Sequence, residues 1–560
     1  GYKNCYLQFS KVIFAIKIFY LIFFQLAMTS GAMCFDEYGR PFIILKEQEQ
    51  QAHLTGLEAI RSHIQAARRV ADTLRSSLGP KGMDKLLVSP DGEVVVTNDG
   101  ATILELMDVD HEVAKLLVSL ARAQDREMGD GTTGVVVLAG ALLERALELL
   151  DKGIHPTRIA EGYERAARSA ARHLDSISWS VTVDQENTTW LLLAAMTALS
   201  SKIASRCQRH LAELAVTAVK TTCDITRNKD LYVNSIVLKG KSGGQIEDTE
   251  LVRGIIIGKD FAHPQMKNHL ENVKIAVFSG TALQLPKVVT KHQLNVDNST
   301  CYGDITSYIS EWSTRVLKMI TDSCVELVVF CGKIDESVIH LLLRHGICAV
   351  DEVPDVEVVA AAIGARIATR VEELTVDKLG RADKVRIINL GTVSGKFIAL
   401  EQLDKAKIVT IFVRGGNEVV VEEVKRSLQD ALFVIRNLIK NSSVVYGGGA
   451  SEISCSLALL EESLTFSDLD QLVYRAFAEA LDAIPAALAE NAGLYPLMVL
   501  TELKAGHKPS RGVDCALTGD CDMHKQGVVE GLQAKKHQLV LATQLAKMVL
   551  KIDDVRGPKD

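Results

Sequence analysis

Apolar residues recur at helical spacing from Gly56 to Leu78. Leu57, Ile60, Ile64, Ala67, Val70 and Leu74 fall on one face, and Gly79-Pro80 ends the run. Leu86–Val88 and Glu93–Thr97 then flank Ser89-Pro90-Asp91-Gly92, which predicts a β-hairpin. Asn98-Asp99-Gly100 reads as a turn, with a helix from Ala101 and another over Glu112–Arg126. Gly129–Gly134 interrupts the pattern. Val135–Leu150 follows it, apolar on nearly every side, and predicts a buried helix.

The middle of the chain has a different texture. Short β-rich runs occur at Ile255–Ile257, Val273–Phe278, Leu327–Phe330, Ile347–Val350, Val385–Ile388 and Ile408–Val413, alternating with helical stretches. That alternation predicts α/β units. After Gly416 the chain reads as helical again, apart from a turn at Gly447-Gly448-Gly449. Two helical ends around a β-containing insert suggest a discontinuous terminal domain, with a hinge on each crossing strand.

Composition adds bounds. A chain of 560 residues suggests about three or four domains. With 47% apolar residues it can bury a large core, and a net charge of −7 marks no basic face for nucleic acid. The eleven cysteines form no CxxC pair, and none sits beside a His at zinc-ligand spacing. They read as reduced, mostly buried thiols of a cytosolic protein. Val12–Ala27 is almost wholly apolar, broken by Lys17 and Gln25. It is short for a membrane span of about 20 residues and has the length of a signal-peptide core. A third reading is translated upstream sequence ahead of Met28, and the cytosolic character of the remainder favours it. The expectation is a cytoplasmic protein with no membrane partner.

The candidate chemistry centres on Gly129-Asp130-Gly131-Thr132-Thr133-Gly134. It matches GxGxxG, but a dinucleotide fingerprint needs a preceding strand and a later acidic residue ending a second strand. Helical pattern lies on both sides here, and Gly391–Lys396 lacks the spacing of a Walker A loop. The segment still suits phosphate. Its glycines let backbone N–H groups turn to one point, Thr132 and Thr133 add hydroxyls, and a buried helix begins there. Asp130 supplies a hard oxygen for Mg2+. The alternative is a Gly-rich helix cap. Gly79–Gly82, Thr97–Gly100 and Tyr446–Gly449 have related chemistry, though each alone could be an ordinary turn. Asp430 lies on an apparent helix, Glu422–Ile439, where a lone Asp usually faces solvent.

Taken together, LGPKGMDK (78–85), TNDGATIL (97–104), GDGTTGVVVLAG (129–140), RGG (414–416), DAL (430–432) and GGGA (447–450) resemble the group II chaperonins. FDEYGRPF (35–42), HPQM (263–266) and TKHQL (290–294) look like the epsilon-subunit branch of the eukaryotic cytosolic chaperonin, TRiC/CCT. The resemblance spans about residues 34–556. It implies a multidomain α and α/β fold: a helical equatorial ATPase domain (28–175 and 436–560), a small α/β intermediate hinge domain (176–247 and 408–435), and an α/β apical domain with a helical protrusion (248–407). Residues 1–27 are left as an extension outside the family.

The resemblance also implies roles. ATP or ADP would contact Gly79, Pro80, Gly100, Gly131, Thr132, Thr133 and Gly134. Ser200 and Lys202 would sense the γ-phosphate, and Gly448, Cys515, Glu530 and Lys535 would surround the base and ribose. Asp130 would hold Mg2+. Asp99 and Asp430 would act on the attacking water, Asp430 arriving only when the intermediate domain closes. His263, Met266, Leu341 and Leu342 would face unfolded clients of the actin and tubulin type. The partners implied are other chaperonin subunits in a hetero-oligomeric double ring. The Leu86–Thr97 hairpin resembles a stem loop that pairs with a neighbour's terminal strands, here about Met548–Ile552. Asp351–Asp355 (DEVPD) and Phe330–Asp335 depart from the epsilon pattern, Ala505–Arg511 is short, and Ser200 stands where glycine is usual. These departures read as a diverged paralogue with retained ATPase chemistry, or as relaxed constraint.

Overall fold

The computed structural model describes residues 31–35, 41–45, 56–89, 92, 94–107, 109, 111–183, 188–201, 203–222, 235–280, 282–284, 299–389, 396–401 and 408–554. Lys202, TKHQL and the Val12–Ala27 run lie outside them. Residues 1–59 with 553–560 form one compact unit, and Ile60–Ile552 the other. In the smaller unit, Gly31–Phe35 and Pro41–Leu45 pair antiparallel, Gly31 opposite Leu45.

Among its described residues, the larger unit holds three large hydrophobic cores and one small one. The largest is helical and draws on both ends of the sequence. Helices Glu112–Met128, Thr132–Asp151 and Pro156–Ile177 share it with Ala450–Ser463, Asp470–Leu481, Ala483–Asn491 and Leu532–Leu550. The all-round apolar run behaves as its pattern predicts: Val135, Val136, Ala139, Leu142 and Leu143 are completely buried. Gly140 lets two helices meet closely, since a Cβ there would stand 2.3 Å from the Ala71 Cβ. Tyr163 is buried in the same core, and its hydroxyl donates to the Leu142 carbonyl at 3.0 Å. That bond removes the cost of burying the phenol.

The second core lies on a six-stranded mixed sheet in the order Cys348–Val350, Leu327–Phe330, His269–Phe278, Gly380–Asn389, Lys396–Glu401, Gly254–Ile257. The first three run parallel, which requires crossovers, and helices Ser299–Asp322 and Glu336–Arg344 supply them. Leu327–Phe330 is buried at every position, as a strand covered on both faces should be. The third core sits under a three-stranded sheet of Ile236–Ser242, Val409–Gly415 and Glu250–Val252, with helices Thr189–Leu199, Gln208–Thr222 and Glu418–Lys440 packed around it.

Two expectations change. The C-terminal part is not purely helical: Ser443–Tyr446 pairs antiparallel with Val529–Gly531 and with Trp179–Ser180. These strands are two to four residues long, too short to show a period. Met548–Ile552 does not form a terminal strand, because the Leu532–Leu550 helix runs through Met548. The hairpin itself is present, Lys85–Val88 on Val94–Thr97, with Leu86 and Val88 exposed. Helix Glu418–Lys440 runs unbroken through residues 435 and 436. Among the described residues, no helix is long and apolar enough to cross a membrane.

Candidate active site

The Gly129–Gly134 loop joins two long helices. Gly129 ends Glu112–Met128 at φ 74°, and Gly131 opens Thr132–Asp151 at φ 78°. Both are left-handed conformations that other residues adopt only with strain. A side chain at Gly129 would also strike Phe433, whose Cδ2 lies 2.3 Å from the Cβ position. Among the described residues, no side chain caps the Thr132–Asp151 helix. Its first N–H groups and positive dipole end therefore face the loop and suit an anion. Asp130 sits at that end. Its Oδ1 accepts from the Gly131 N–H at 2.7 Å, and its backbone carbonyl accepts from Gln124 Nε2 at 2.9 Å.

The Asn98-Asp99-Gly100 turn is docked on the start of this helix. Asp99 Oδ2 caps helix Gly100–Leu106, accepting from the Thr102 N–H at 3.1 Å and the Thr102 hydroxyl at 2.8 Å. Its Oδ1 accepts from the Thr132 hydroxyl at 3.1 Å. Gly100 permits the approach, since its Cβ position is 2.6 Å from Thr133 Oγ1. Asn98 Nδ2 donates to the Ser201 carbonyl at 2.8 Å and so brings the Ser200–Ser201 turn alongside. The Ser200 hydroxyl donates to the Thr197 carbonyl at 2.7 Å. Asn98 Oδ1 is buried without a hydrogen-bond partner among the described residues, an orphaned acceptor at the edge of the site.

A second wall comes from residues far away in sequence. Gly79 fits against Leu488, whose Cδ2 is 2.4 Å from its Cβ position, and Pro80 beside it is exposed. Lys81 faces Cys515 electrostatically. Burial, then the Asp514 charge, pushes the Cys515 thiol up to about 11, with Lys81 opposing. Iodoacetamide at pH 8 should accordingly modify the exposed Cys324 first and leave Cys515 largely unlabelled, read by peptide mass. Gly448, at φ 65°, accepts from the Val513 N–H at 2.8 Å, and Gly447 lies with its Cβ position 2.7 Å from Glu530 Oε1.

Lys535 is the charged centre of this wall. Its Nζ meets Glu452 Oε1 at 2.6 Å and Glu530 Oε2 at 2.7 Å. Burial draws Lys535 downward, but the two carboxylates outweigh it and hold the ammonium above the ordinary lysine range. Burial also works to raise Glu452, yet Lys535 wins and keeps it below the usual glutamate range. Glu530 goes the other way. Its burial and the nearby charges of Glu452 and Asp130 push it up against the pull of Lys535. The Asp130 contribution ties this wall to the phosphate loop.

Asp430 is buried on helix Glu418–Lys440. Phe433 and Asn437 share its face by helical spacing. Phe433 packs on Gly129, Asn437 Nδ2 donates to the Met128 carbonyl at 3.0 Å, and Arg436 Nη2 donates to the Glu127 carbonyl at 2.7 Å. In this conformation the helix is already docked on the turn just before Asp130.

Two of the expected client-facing residues need correction. Met266 is 5% exposed and Leu342 is 0% exposed, both inside the core of the six-stranded sheet. Met266 Sδ accepts from the Ala349 N–H there. Their apolar side chains are spent on that core and present no outer surface. His263 is partly exposed, its ring 5.8 Å from that of His340, and Leu341 is partly buried. Sequence reasoning also missed Asn98, Gln124, Glu452 and Gln538. Glu452 lies two residues after GGGA, and an acidic residue there, with Lys535 five residues after Glu530, was the available signal.

The residues fit Mg2+ in one particular way. Among the described residues no group of three or more His, Cys, Asp or Glu could hold a metal alone. Two carboxylates, Asp130 and Asp99, beside an uncapped helix start match an ion held largely by phosphate oxygens and water.

The TCP-1/cpn60 chaperonin family model matches residues 70–559. A thermosome subunit of Pyrococcus horikoshii is 42% identical over 528 residues, 92% of this chain and 94% of its own length. A thermosome subunit of Pyrococcus abyssi is 41% identical over the same shares. The thermosome subunit alpha of Archaeoglobus fulgidus is 42% identical over 93% of this chain and 95% of its own length. The family match takes in both walls of the site, from the Gly79 loop to Lys535, and with it the chain belongs to the TCP-1/cpn60 chaperonin family.

Proposed function

We propose that this chaperonin chain is an ATP-hydrolysing, Mg2+-dependent subunit of a double-ring protein-folding machine. Chaperonins are ATPases, so the family supports the reaction class. The observation that carries it to these residues is the bond from Thr132 Oγ1 to Asp99 Oδ1 at 3.1 Å. It sets a second carboxylate against the uncapped helix start that Asp130 flanks.

Gly131, Thr132, Thr133 and Gly134 cradle the phosphates with backbone N–H groups and hydroxyls. Gly79, Pro80 and Gly100 close over them. Gly448, Cys515, Glu530 and Lys535 hold the base and ribose, and Ser200 and Lys202 read the terminal phosphate. Asp130 holds Mg2+, which when bound offsets phosphate charge. Asp99 and Asp430 orient the attacking water and take up its proton. The ordering of parts is equatorial (28–175 and 436–560), intermediate (176–247 and 408–435) and apical (248–407). Movement of the Glu418–Lys440 helix, which reaches from the small sheet to the phosphate loop, couples hydrolysis to the apical part. At finer grain, FDEYGRPF, HPQM and TKHQL support an epsilon-like, cytosolic, hetero-oligomeric subunit for clients of the actin and tubulin type. The acidic DEVPD segment supports a diverged one.

Asp130→Ala in the assembled complex tests the metal assignment. The half-saturating Mg2+ concentration for ATP hydrolysis should rise by at least about tenfold, as expected for loss of one of the few carboxylates holding the ion. An unchanged Mg2+ requirement would remove Asp130 from that role.

A further inference from the structure

Gln124 is fully buried near the end of helix Glu112–Met128, and both ends of its amide are in use. Nε2 donates to the Asp130 carbonyl at 2.9 Å, and Oε1 lies 2.7 Å from His537 Nδ1. A carbonyl can only accept, so the group facing Asp130 is the NH2. Oε1 therefore faces the imidazole, and Nδ1 carries the proton. Nε2 of the same ring lies 2.8 Å from Glu127 Oε2. Three side chains thus run in line from the protein surface to the backbone of the phosphate loop.

We propose that His537 is a positioning residue for the Mg2+-ATP site, acting through the Gln124 amide on the Asp130 carbonyl. The inference rests on the reading of Gly129–Gly134 as the phosphate loop. The loop needs such a prop. Gly131 has no side chain, and the atoms nearest its Cβ position are Gln124 Nε2 at 3.6 Å and Gln538 Oε1 at 3.9 Å. Rotating the Gln124 amide by half a turn would set its oxygen against the Asp130 carbonyl. In a buried place that leaves polar groups without partners. With His537 donating to Oε1, the turned amide forfeits two hydrogen bonds instead of one. The neutral ring with its proton on Nδ1 is sufficient. Nε2 can donate to Glu127 only when it is protonated as well; Glu127 is 64% exposed, so that second contact is a weak surface pair and the Gln124 bond does not depend on it.

The test uses the assembled complex. His537→Leu keeps the volume and removes the donor, whereas His537→Asn places an amide N–H where Nδ1 stood. The half-saturating Mg2+ concentration for ATP hydrolysis should rise by about 3–10-fold in the Leu variant and stay within about 2-fold of wild type in the Asn variant, the range of one hydrogen bond. A packing role would give the reverse order, because Leu fills the space and Asn does not. Adding His537→Leu to Gln124→Leu should cause no further loss, since the effect passes through Gln124. The proposal is overturned by a wild-type Mg2+ requirement in His537→Leu, by Asn performing no better than Leu, or by additive losses. If His537→Leu fails to assemble, Gln124→Glu carries the test. It keeps an acceptor for His537 but opposes an oxygen to the Asp130 carbonyl, so a wild-type Mg2+ requirement there also overturns it. Wild-type complex without Mg2+-dependent hydrolysis would instead overturn the underlying reading of the loop.

Discussion

Asp430→Ala is expected to slow ATP turnover by about two to four orders of magnitude, the usual contribution of a general base, while ATP binding stays near wild type. The separation follows from where Asp430 comes from. The phosphate cradle we propose draws on Asp130–Gly134, Asp99 and Gly100, all on the helical core, and these have contacts of their own there. Asp430 arrives on helix Glu418–Lys440, which is anchored to the Glu127–Gly129 turn by Phe433, Arg436 and Asn437. Those anchors remain in the Ala variant, so the docking of the helix should survive and only the carboxylate is lost. Steady-state phosphate release and nucleotide binding, measured on the same preparation, check this. Loss of both together would point to a structural role for Asp430.

The second large effect is on stability. Lys535→Met should destabilise the helical core by about 3–5 kcal/mol, the cost of leaving buried charges without their partner. Lys535 is 11% exposed between Glu452, 7% exposed, and Glu530. Met retains the length and apolar stem but leaves two carboxylates facing each other. In wild type, Glu452 lies below its ordinary range when folded. Its contribution is therefore present above the unfolded value and fades as pH falls through the folded one. Lys535 lies above its range, so its contribution is complete below the unfolded lysine value and fades only in strong alkali. Without Lys535 the sign for Glu452 reverses, because burial and like charge then raise it. The variant should gain more stability than wild type as pH falls from about 8 to 6, where wild type gains none from Glu452 and Lys535 and only the raised Glu530 contributes. Thermal unfolding across that interval reads both effects.

How much of this was legible in the sequence depended on the range of the interactions. The Thr132–Asp151 helix was plain, because an all-round apolar run has one stable destination. The Lys85–Thr97 hairpin was plain, because its turn residues are local. The pairing of Val445 with Glu530 was not, since a strand of three residues has no period and its partner is remote. The same limit applied to the site. Asp99, Asp130 and the glycines sit in turns with distinctive composition. Gln124 and Gln538 are polar residues in the middle of helical patterns, where the ordinary reading is a solvated face. Only the folded chain turns them inward onto the loop. Met266 and Leu342 illustrate the converse: an apolar residue in a segment expected to bind clients can equally complete the core beneath it.

The central claim is that one site, assembled from both ends of the chain, holds ATP through Asp130 and cleaves it through Asp430. A single-turnover experiment tests it most directly: complex loaded with ATP, then given Mg2+, with bound nucleotide and released phosphate followed together. The account predicts rapid release from wild type, retained but uncleaved ATP in Asp430→Ala, and in Asp130→Ala a response that needs at least about tenfold more Mg2+. Phosphate release from Asp430→Ala at the wild-type rate would contradict it.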